Sequence, residues 1–351
     1  MGYLMELRAL IDKLELEEAL STEEWTTLFN QYTEEDAAYA AKRARNIADE
    51  IYGKEIYIRG LIEFTNYCKN DCYYCGIRRS NENTERYRLT TEQILSCCKT
   101  GWELGYRTFV LQGGEDGFYT DTWYQETIGR IKEAYPECAI TLSLGERSRE
   151  SYQKLFDAGA DRYLLRHETA NELHYGKLHP KELSIRNRKE CLRNLREIGY
   201  QVGCGFMVGS PYQTWEDLAE DMKFIHELKP HMVGIGPFIP QKDTPFAKET
   251  QGSLSMTLFL LSLIRIMEKH VLLPATTALG TIAPKGRELG ILAGANVIMP
   301  NLSPVDVREK YKLYDNKICT GEEAAECRGC IDRRITSIGY HIVNKRGDYK
   351  A

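Results

Sequence analysis

The sequence lacks the features that mark membrane, exported and nucleic-acid-binding proteins. Its most apolar run, Leu254–Met267, is too short to cross a bilayer and already contains Arg265. The first residues alternate apolar with charged side chains, which is typical of a surface helix and not of an export signal. The formal net charge of −5 argues against a basic surface for nucleic acid. We therefore expect a cytoplasmic protein that binds neither membrane nor nucleic acid.

The sequence has 11 cysteines but no sign of an exported, disulfide-bonded chain. Disulfides are rare in a reducing compartment, where clustered cysteines more often bind metal. Five isolated cysteines lie in apolar patterns and are explained as small buried side chains; they are Cys97, Cys98, Cys138, Cys191 and Cys204. The other six form two clusters, near residues 70 and 325, and these clusters indicate metal chemistry.

Short β-branched or aromatic runs alternate with amphipathic helical stretches after a helical N-terminal segment. The predicted strands span residues 56–64, 108–112, 139–144, 162–166, 201–208, 232–237, 272–277 and 296–299. This alternation predicts an α/β fold with a parallel sheet, and eight units close most economically as a (β/α)8 TIM barrel. We predict an N-terminal helical extension (1–52), a barrel (53–305) and a C-terminal segment with an accessory cysteine cluster (306–351).

The first predicted strand is followed by Cys68, Cys72 and Cys75 in C-x3-C-x2-C spacing. Three thiolates at this spacing can bind a cubane iron–sulfur cluster and leave its fourth iron without a protein ligand. Structural zinc or a simple electron-transfer cluster would need four protein ligands, and the nearest further donors, Asn66 and Asp71, suit neither. A non-catalytic iron–sulfur carrier is the alternative function. The open iron predicts a site for a chelating cofactor.

This motif, with an aromatic residue before its last cysteine, resembles that of the radical S-adenosylmethionine (SAM) superfamily. The resemblance implies a 4Fe–4S cluster that binds SAM and, after receiving one electron, cleaves it to a 5′-deoxyadenosyl radical. The cysteine triad would then be catalytic as well as metal-binding. The resemblance also implies that aromatic, glycine and charged residues near the strand ends hold the cofactor. The predicted cofactor-binding residues are Tyr74, Gln112, Gly113, Gly114, Ser143, Glu168 and Arg188.

Charged residues alternate along two predicted strands, so that several of them share the face expected to point into the barrel. An unpaired buried ion is costly, so these charges must pair with one another or with an anionic ligand. An internal ion-pair network is the alternative to a ligand site. We expect a substrate with negative groups, bound by Arg59, Arg162, Arg166, Thr276, Thr277, Met299, Tyr311 and Tyr314.

Segments throughout the predicted barrel also resemble the HydE-type maturases of iron–iron hydrogenases, which belong to the biotin synthase-like group. These segments are 58–59, 62–64, 74–79, 141–146, 159–171, 232–240, 274–281 and 295–301. The resemblance implies a small organometallic or amino-acid-derived substrate, such as an iron–cysteine complex that carries carbonyl and cyanide ligands. It also implies a sister maturase that makes this substrate, a GTPase scaffold that receives the product and an external electron donor.

The second cysteine cluster, Cys319, Cys327 and Cys330, is similar to the accessory iron–sulfur site of HydE-type proteins. Some family members lack this site, and three ligands near a surface could equally bind adventitious metal. The resemblance therefore implies a second cluster without implying that the reaction needs it.

Two related functions compete with the HydE-type interpretation. Biotin synthase needs cysteines inside the barrel for a second cluster, whereas the ends of the second and third strands here carry Gln112 and Ser143. A methylornithine synthase-like mutase shares much of the scaffold. The Thr276–Thr277 pair and the C-terminal cysteines argue against the mutase.

Overall fold

The structure is a computed structural model and describes residues 2–321 and 323–351. Three helices precede the first strand: α1 (Gly2–Glu17), α2 (Thr22–Gln31) and α3 (Glu34–Tyr52). The later helices are α4 (Thr91–Glu103), α5 (Asp121–Ala134), α6 (Arg149–Asp157), α7 (Glu172–Leu178), α8 (Ile185–Ile198), α9 (Trp215–Leu228), α10 (Leu254–Met267), α11 (Thr277–Ile282), α12 (Gly286–Leu292), α13 (Val305–Arg308) and α14 (Ala324–Ser337). The strands are β1 (Glu55–Ile58), β2 (Gly60–Thr65), β3 (Thr108–Gly113), β4 (Ala139–Ser143), β5 (Arg162–Leu164), β6 (Gln201–Cys204), β7 (Met207–Val208), β8 (Met232–Val233), β9 (Gly236–Pro237), β10 (Val297–Ile298) and β11 (His341–Val343).

Six parallel strands form the main sheet in the order β2-β3-β4-β5-β6-β8. A second parallel sheet places β1 between β10 and β11, and β7 pairs with β9. Helices connect most of the parallel neighbours, as the crossover between parallel strands requires. The predicted α/β class with a parallel sheet is therefore confirmed.

Isolated parallel bridges continue the strand pairing beyond both edges of the six-stranded sheet. At the β8 edge Met232 pairs with Leu272, and Pro274 pairs with Val297 of β10. At the β2 edge Leu61 pairs with Asn301. Residues 272–274 and 297–301 thus lie between the two edges of the main sheet.

Three of the predicted strands are each divided in two. Residues 56–64 form β1 and β2, residues 201–208 form β6 and β7, and residues 232–237 form β8 and β9. One cause is a close contact between the residues that separate β6 from β7 and those that separate β8 from β9. A Cβ on Gly205 would lie 2.0 Å from the carbonyl oxygen of Gly234. The backbones cross there too closely for a continuous pleated ladder.

The predicted strand at residues 272–277 forms only isolated bridges. Pro274 has no N–H to donate to a ladder, and Thr277 already begins α11. The short strand β11, which pairs with β1, was not predicted because its sequence has no clear alternation.

The apolar helix α10 is buried and packs against β9 and the N-terminal helices α1 and α3. Its neighbour α3 presents Ala40, Ala44 and Ala48, all fully buried, at four-residue spacing. Such small residues let two helices approach closely. No helix in the described part of the chain is long and apolar enough to span a bilayer. Because the strands are parallel, their carboxyl ends share one edge, and the candidate site residues collect there.

Candidate active site

The loop that carries the three cysteines begins directly after β2. Its backbone is tied to three distant segments by the hydrogen bonds Lys69 N to Glu115 O (2.9 Å), Tyr73 N to Leu178 O (3.0 Å) and Gly76 N to Leu313 O (2.9 Å). Within the loop, Arg78 Nε donates to Asp71 Oδ1 at 2.7 Å. Asp71 is thereby engaged in an ion pair and does not serve as a fourth ligand.

The three cysteines are partly buried, and their thiols interact electrostatically. Burial raises the pKa of Cys72 well above its ordinary value, and Cys75 and Cys68 raise it further. Burial also raises the pKa of Cys75 to about 12. Burial raises the pKa of Cys68, but backbone N–H groups, including that of Glu115 at 3.4 Å from Cys68 Sγ, oppose this shift. Binding iron must displace protons from these thiols, because the thiolate is the ligand.

Over residues 2–321 and 323–351, no three His, Cys, Asp or Glu side chains converge as ligands of a single metal ion. A cubane does not require such convergence, because each of its irons binds a separate thiolate. The spacing of Cys68, Cys72 and Cys75 therefore suits a cluster better than a zinc ion.

The end of β3 packs directly against the cysteine loop, and glycine permits this contact. A Cβ on Gly114 would lie 2.2 Å from the carbonyl oxygen of Tyr67 and 2.8 Å from Cys68 Cβ. The neighbouring Gly113 packs equally closely against Thr65, because a Cβ on Gly113 would lie 2.7 Å from Thr65 Cγ2. The strand therefore supports the loop at a distance that only glycine allows.

We expect Gly114→Ala to displace the cysteine loop and to reduce the iron bound after anaerobic reconstitution at least fivefold. Gly117→Ala is the matched control, because a Cβ at Gly117 meets nothing within 4 Å. Iron and sulfide analysis of both purified variants measures the effect. Equal iron content in the two variants would show that the close packing of β3 is not needed.

Tyr74 lies inside the cysteine motif and contacts the buried His179, which directly follows α7. Its hydroxyl donates to His179 Nε2 at 3.1 Å, while His179 Nδ1 lies 3.0 Å from the carbonyl oxygen of Tyr175. Arg188 donates from Nε to Glu146 Oε1 at 2.5 Å and from Nη1 to the carbonyl oxygen of Arg166 at 2.7 Å. Arg188 lies near enough to Cys72 for its charge to oppose the rise in the pKa of that thiol.

Burial, together with the nearby charge of Arg188, lowers the pKa of His179 to about 3. An unfolded histidine binds a proton below about pH 6.5, whereas the folded His179 stays neutral. Stability from this residue is therefore complete above pH 6.5 and is lost as the pH falls towards 3. We expect the free energy of unfolding to fall by about 2 kcal/mol from this source between pH 7 and 5.

His179→Gln, which cannot bind this proton, tests that expectation. Urea unfolding of the metal-free protein at pH 7 and pH 5 should show a smaller pH dependence for the variant, by about 2 kcal/mol. The same pH dependence in both proteins would contradict the assignment.

Glu168 follows β5 with an unusual backbone conformation and a buried carboxylate oxygen that has no hydrogen-bond partner among the described residues. Its φ of 67° is in the left-handed region, and its backbone is held by Gly205 O on one side and Met207 N on the other. The carboxylate lies 3.1 Å from Arg166 Nη2, but the two groups are not aligned for a hydrogen bond. The buried atoms Glu168 Oε2, Arg166 Nε and Arg166 Nη2 have no hydrogen-bond partner among the described residues. Strain and orphaned polar atoms together indicate a ligand-binding position.

The residues present therefore fit the cluster and SAM that the sequence predicts. The triad supplies three thiols, and Gly113 and Gly114 allow close approach to the backbone. Polar atoms of Arg166 and Glu168 that have no hydrogen-bond partner among the described residues lie at the same edge of the sheet. Ser143 ends β4 beside Gln112, to which it is paired in register. The nearby His167 is fully buried and is held by Asp221 and the Gly205 backbone, so its role is structural.

A buried ion pair between Lys317 and Glu63 lies near the carboxyl end of β2. Lys317 Nζ donates to Glu63 Oε1 at 2.5 Å, and their side chains are only 7% and 2% exposed. Asn301 donates to the second carboxylate oxygen of Glu63 at 2.8 Å. Lys317 also donates to the backbone of Tyr311, whose buried hydroxyl interacts with Gln112. The segment with Tyr311 is thereby fixed over the strand ends.

Thr276 and Thr277 stand where the chain enters α11. Thr276 Oγ1 is buried and has no hydrogen-bond partner in the described structure, whereas Thr277 Oγ1 accepts from Arg287 Nη2 at 3.2 Å. Arg287 also approaches Cys319 Sγ at 3.7 Å. Tyr314 interacts with Thr281 of the same helix, and this interaction opposes the burial that raises the pKa of Tyr314 to about 12.

The second cysteine cluster lies on one side of the fold, next to α14. Cys327 is buried, Cys330 is exposed, and Cys319 has a φ of 63°. The contact between Arg287 and both Thr277 and Cys319 links this region to the candidate site.

Met299 packs against an apolar cluster that includes Met232 and Leu272.

Arg59 and Arg162 require a correction, because the structure does not bring them to the site. Arg162 Nη2 contacts Asp348 at 2.5 Å and Nη1 donates to Thr108 Oγ1 at 2.9 Å. Arg59 Nη2 donates to the carbonyl oxygen of Gly347 at 3.2 Å. The C-terminal segment covers the opposite end of the strands and takes the position that we assigned to a ligand. For Arg162 the structure thus favours the internal ion-pair alternative.

Sequence reasoning missed His179, Arg287 and Lys317. In the folded chain they contact the predicted site residues Tyr74, Thr277 and Tyr311, respectively. Lys317 also contacts Glu63, which is 254 residues away. No local pattern in the sequence marks these contacts. A buried carboxylate at a strand end does, however, imply that some distant cation must pair with it.

The radical SAM superfamily model matches residues 62–225. The [FeFe] hydrogenase maturase subunit HydE of Thermotoga maritima is 48% identical over 84% of this chain and 84% of its own length. A 3-methylornithine synthase of Methanosarcina barkeri is 29% identical over 95% of this chain and 93% of its own. Among solved structures, methylornithine synthase (PylB) has a TM-score of 0.83 at 27% identity, covering 95% of this chain and 97% of its own.

The relationship to HydE extends over most of both chains and includes the cysteine loop and the strand ends described above. Nearly half of the aligned residues are identical, so the relationship goes beyond a shared fold. The chain thus belongs to the radical SAM superfamily and, within it, to the enzymes of the HydE hydrogenase maturase type.

Proposed function

We propose that Cys68, Cys72 and Cys75 hold a 4Fe–4S cluster whose fourth iron binds SAM. The observation that carries this proposal is the open three-thiol loop beside the orphaned polar atoms of Arg166 and Glu168. When bound and reduced, the cluster supplies the electron that cleaves SAM. The chain's own contribution is to shield the thiols, orient the cofactor and exclude water.

The cofactor would lie along the ends of β2 to β5. The backbone of Gly113 and Gly114 allows close approach, while Glu168 offers an unsatisfied oxygen and a backbone held in a fixed, strained form. Arg188, fixed by Glu146, places positive charge beside the triad. We assign cofactor binding to Tyr74, Gln112, Gly113, Gly114, Ser143, Glu168 and Arg188.

We further propose a role in maturation of an [FeFe] hydrogenase, which the printed name of the Thermotoga maritima relative supports. The substrate would be a small organometallic compound with anionic groups, delivered by a sister maturase and passed on to a GTPase scaffold. Positive charge from Arg166 and the unpartnered hydroxyl of Thr276 suit such groups. With Arg59 and Arg162 set aside, the proposed substrate residues are Arg166, Thr276, Thr277, Met299, Tyr311 and Tyr314.

A closed barrel is part of this proposal. The bridges at both edges of the six-stranded sheet support closure through residues 272–274, β10 and β1 into an eight-unit barrel. We assign residues 53–305 to this barrel, 1–52 to the helical extension and 306–351 to the C-terminal segment. We also propose a reducing compartment, the cytoplasm, because the triad binds iron only as reduced thiolates.

A methylornithine synthase-like mutase is the second candidate function. It is favoured by the match to PylB, which spans nearly the whole of both chains. The higher identity to HydE and the C-terminal Cys319, Cys327 and Cys330 favour the maturase. We propose that these three cysteines bind an accessory cluster that the reaction does not require.

Two assays test the proposed function. Anaerobic reconstitution followed by dithionite and SAM should yield 5′-deoxyadenosine and methionine. A hydrogenase maturation mixture that lacks only this protein should regain hydrogenase activity when the protein is added. Cleavage of SAM without maturation, together with turnover of lysine, would favour the mutase.

A further inference from the structure

An exposed basic and aromatic surface lies beside the cysteine loop. It comprises Leu173, Lys177, Lys181 and Tyr212, and we call it the α7 surface. Leu173 is 80% exposed and Tyr212 is 56% exposed. Lys177 Nζ lies 5.4 Å from the centre of the Tyr212 ring. Leu173 and Lys177 share one face of α7, because they are four residues apart.

Packed aromatic rings connect the α7 surface with the cysteine loop. The Tyr212 ring lies 6.2 Å from that of Phe246, which lies 6.2 Å from that of Tyr73. Tyr73 is adjacent to Cys72, and its N–H donates to the carbonyl oxygen of Leu178 at the end of α7. The surface is therefore the outer end of a short path from solvent to the cluster ligands.

The charge of this surface is opposite to that of the whole chain, which carries −5. Lys177 and Lys181 form no ion pair with any residue that the structure describes. Of the two glutamates in the segment 172–182, Glu172 is paired with Arg186 at 2.9 Å, which leaves Glu182 as the uncompensated acid of this segment. The positive surplus would attract an acidic partner, and exposed Leu173 supplies apolar contact.

We propose that the α7 surface docks a small acidic protein that carries one electron. This inference rests on the proposed function, because only a bound cluster needs that electron. In the step, the reduced carrier loses one electron, the bound cluster gains it, and the carrier leaves oxidised without transfer of a proton or group. Charge guides the encounter, and Leu173 and Tyr212 form the short-range contact.

Flavodoxin binding to the reconstituted full-length protein tests the proposal. We expect the double variant Lys177→Glu/Lys181→Glu to weaken binding at low salt at least tenfold and to slow the bleaching of the cluster by reduced flavodoxin equally. Leu173→Ser should weaken binding about threefold without changing its salt dependence. Lys99→Glu on α4 is the matched control, because its side chain is 71% exposed and lies on another helix. Lys99→Glu should bind as the unaltered protein does.

Dithionite separates the possible failures, since it reduces the cluster without protein docking. All variants should cleave SAM equally with dithionite, which also shows that they fold. Equal flavodoxin binding by the double variant and the unaltered protein would overturn the docking proposal alone. Absence of SAM cleavage with dithionite in every protein, despite an intact cluster, would instead overturn the proposed function and this inference with it.

Discussion

Replacing Cys72 with alanine should abolish SAM cleavage and leave at most a residual amount of iron after reconstitution. Two thiolates cannot retain a cubane that needs three, and the position of Cys72 between the other ligands leaves no substitute nearby. We expect 5′-deoxyadenosine formation to fall at least a thousandfold. Anaerobic iron analysis and product quantification with dithionite measure both effects.

Cys327→Ala is the matched control for this variant, because it removes a cysteine of the second cluster. It should keep the SAM-binding cluster and cleave SAM at the rate of the unaltered protein. Loss of cleavage in Cys327→Ala, or its survival in Cys72→Ala, would reverse the roles that we assign to the two cysteine clusters.

Lys317→Met should destabilise the protein by about 3–5 kcal/mol, because it leaves the buried carboxylate of Glu63 without its cation. Adding Glu63→Gln to Lys317→Met should recover most of that loss, since an uncharged pair needs no compensation. Urea unfolding of the single and double variants, under anaerobic and metal-free conditions, gives the coupling free energy.

The exposed pair Lys154–Glu150 provides the control for the buried pair. Its nitrogen–oxygen distance is a similar 2.7 Å, but the two side chains are 44% and 78% exposed. Lys154→Met should therefore change the free energy of unfolding by at most about 1 kcal/mol. Equal effects of Lys154→Met and Lys317→Met would show that burial of the Glu63 pair contributes nothing.

The cysteine motif and the parallel α/β architecture could be predicted because both are local patterns. Cys68, Cys72 and Cys75 lie within eight consecutive residues, and the alternation of strands and helices recurs along the chain. The division of three predicted strands could not be predicted, because it depends on contacts such as that between Gly205 and Gly234. These contacts form only when separate units pack together.

The partners of the buried charged residues could not be predicted from the sequence either. Alternation predicts that charged residues share an inward face, but it does not show which partner each charge finds. Arg162 pairs with Asp348, 186 residues away, while Arg166 keeps unsatisfied nitrogen atoms at the site rim. Burial requires a partner for each charge, and only the folded chain decides whether that partner is protein or ligand.

We propose that one iron of the cluster lacks a protein ligand and binds SAM. Electron–nuclear double resonance of the reduced, reconstituted protein with isotopically labelled SAM detects this binding. We predict magnetic coupling between the cluster and both the amino nitrogen and the carboxylate oxygen of the methionyl group. Four protein donors around the cluster with no such coupling, or zinc bound to the same three thiolates, would contradict it.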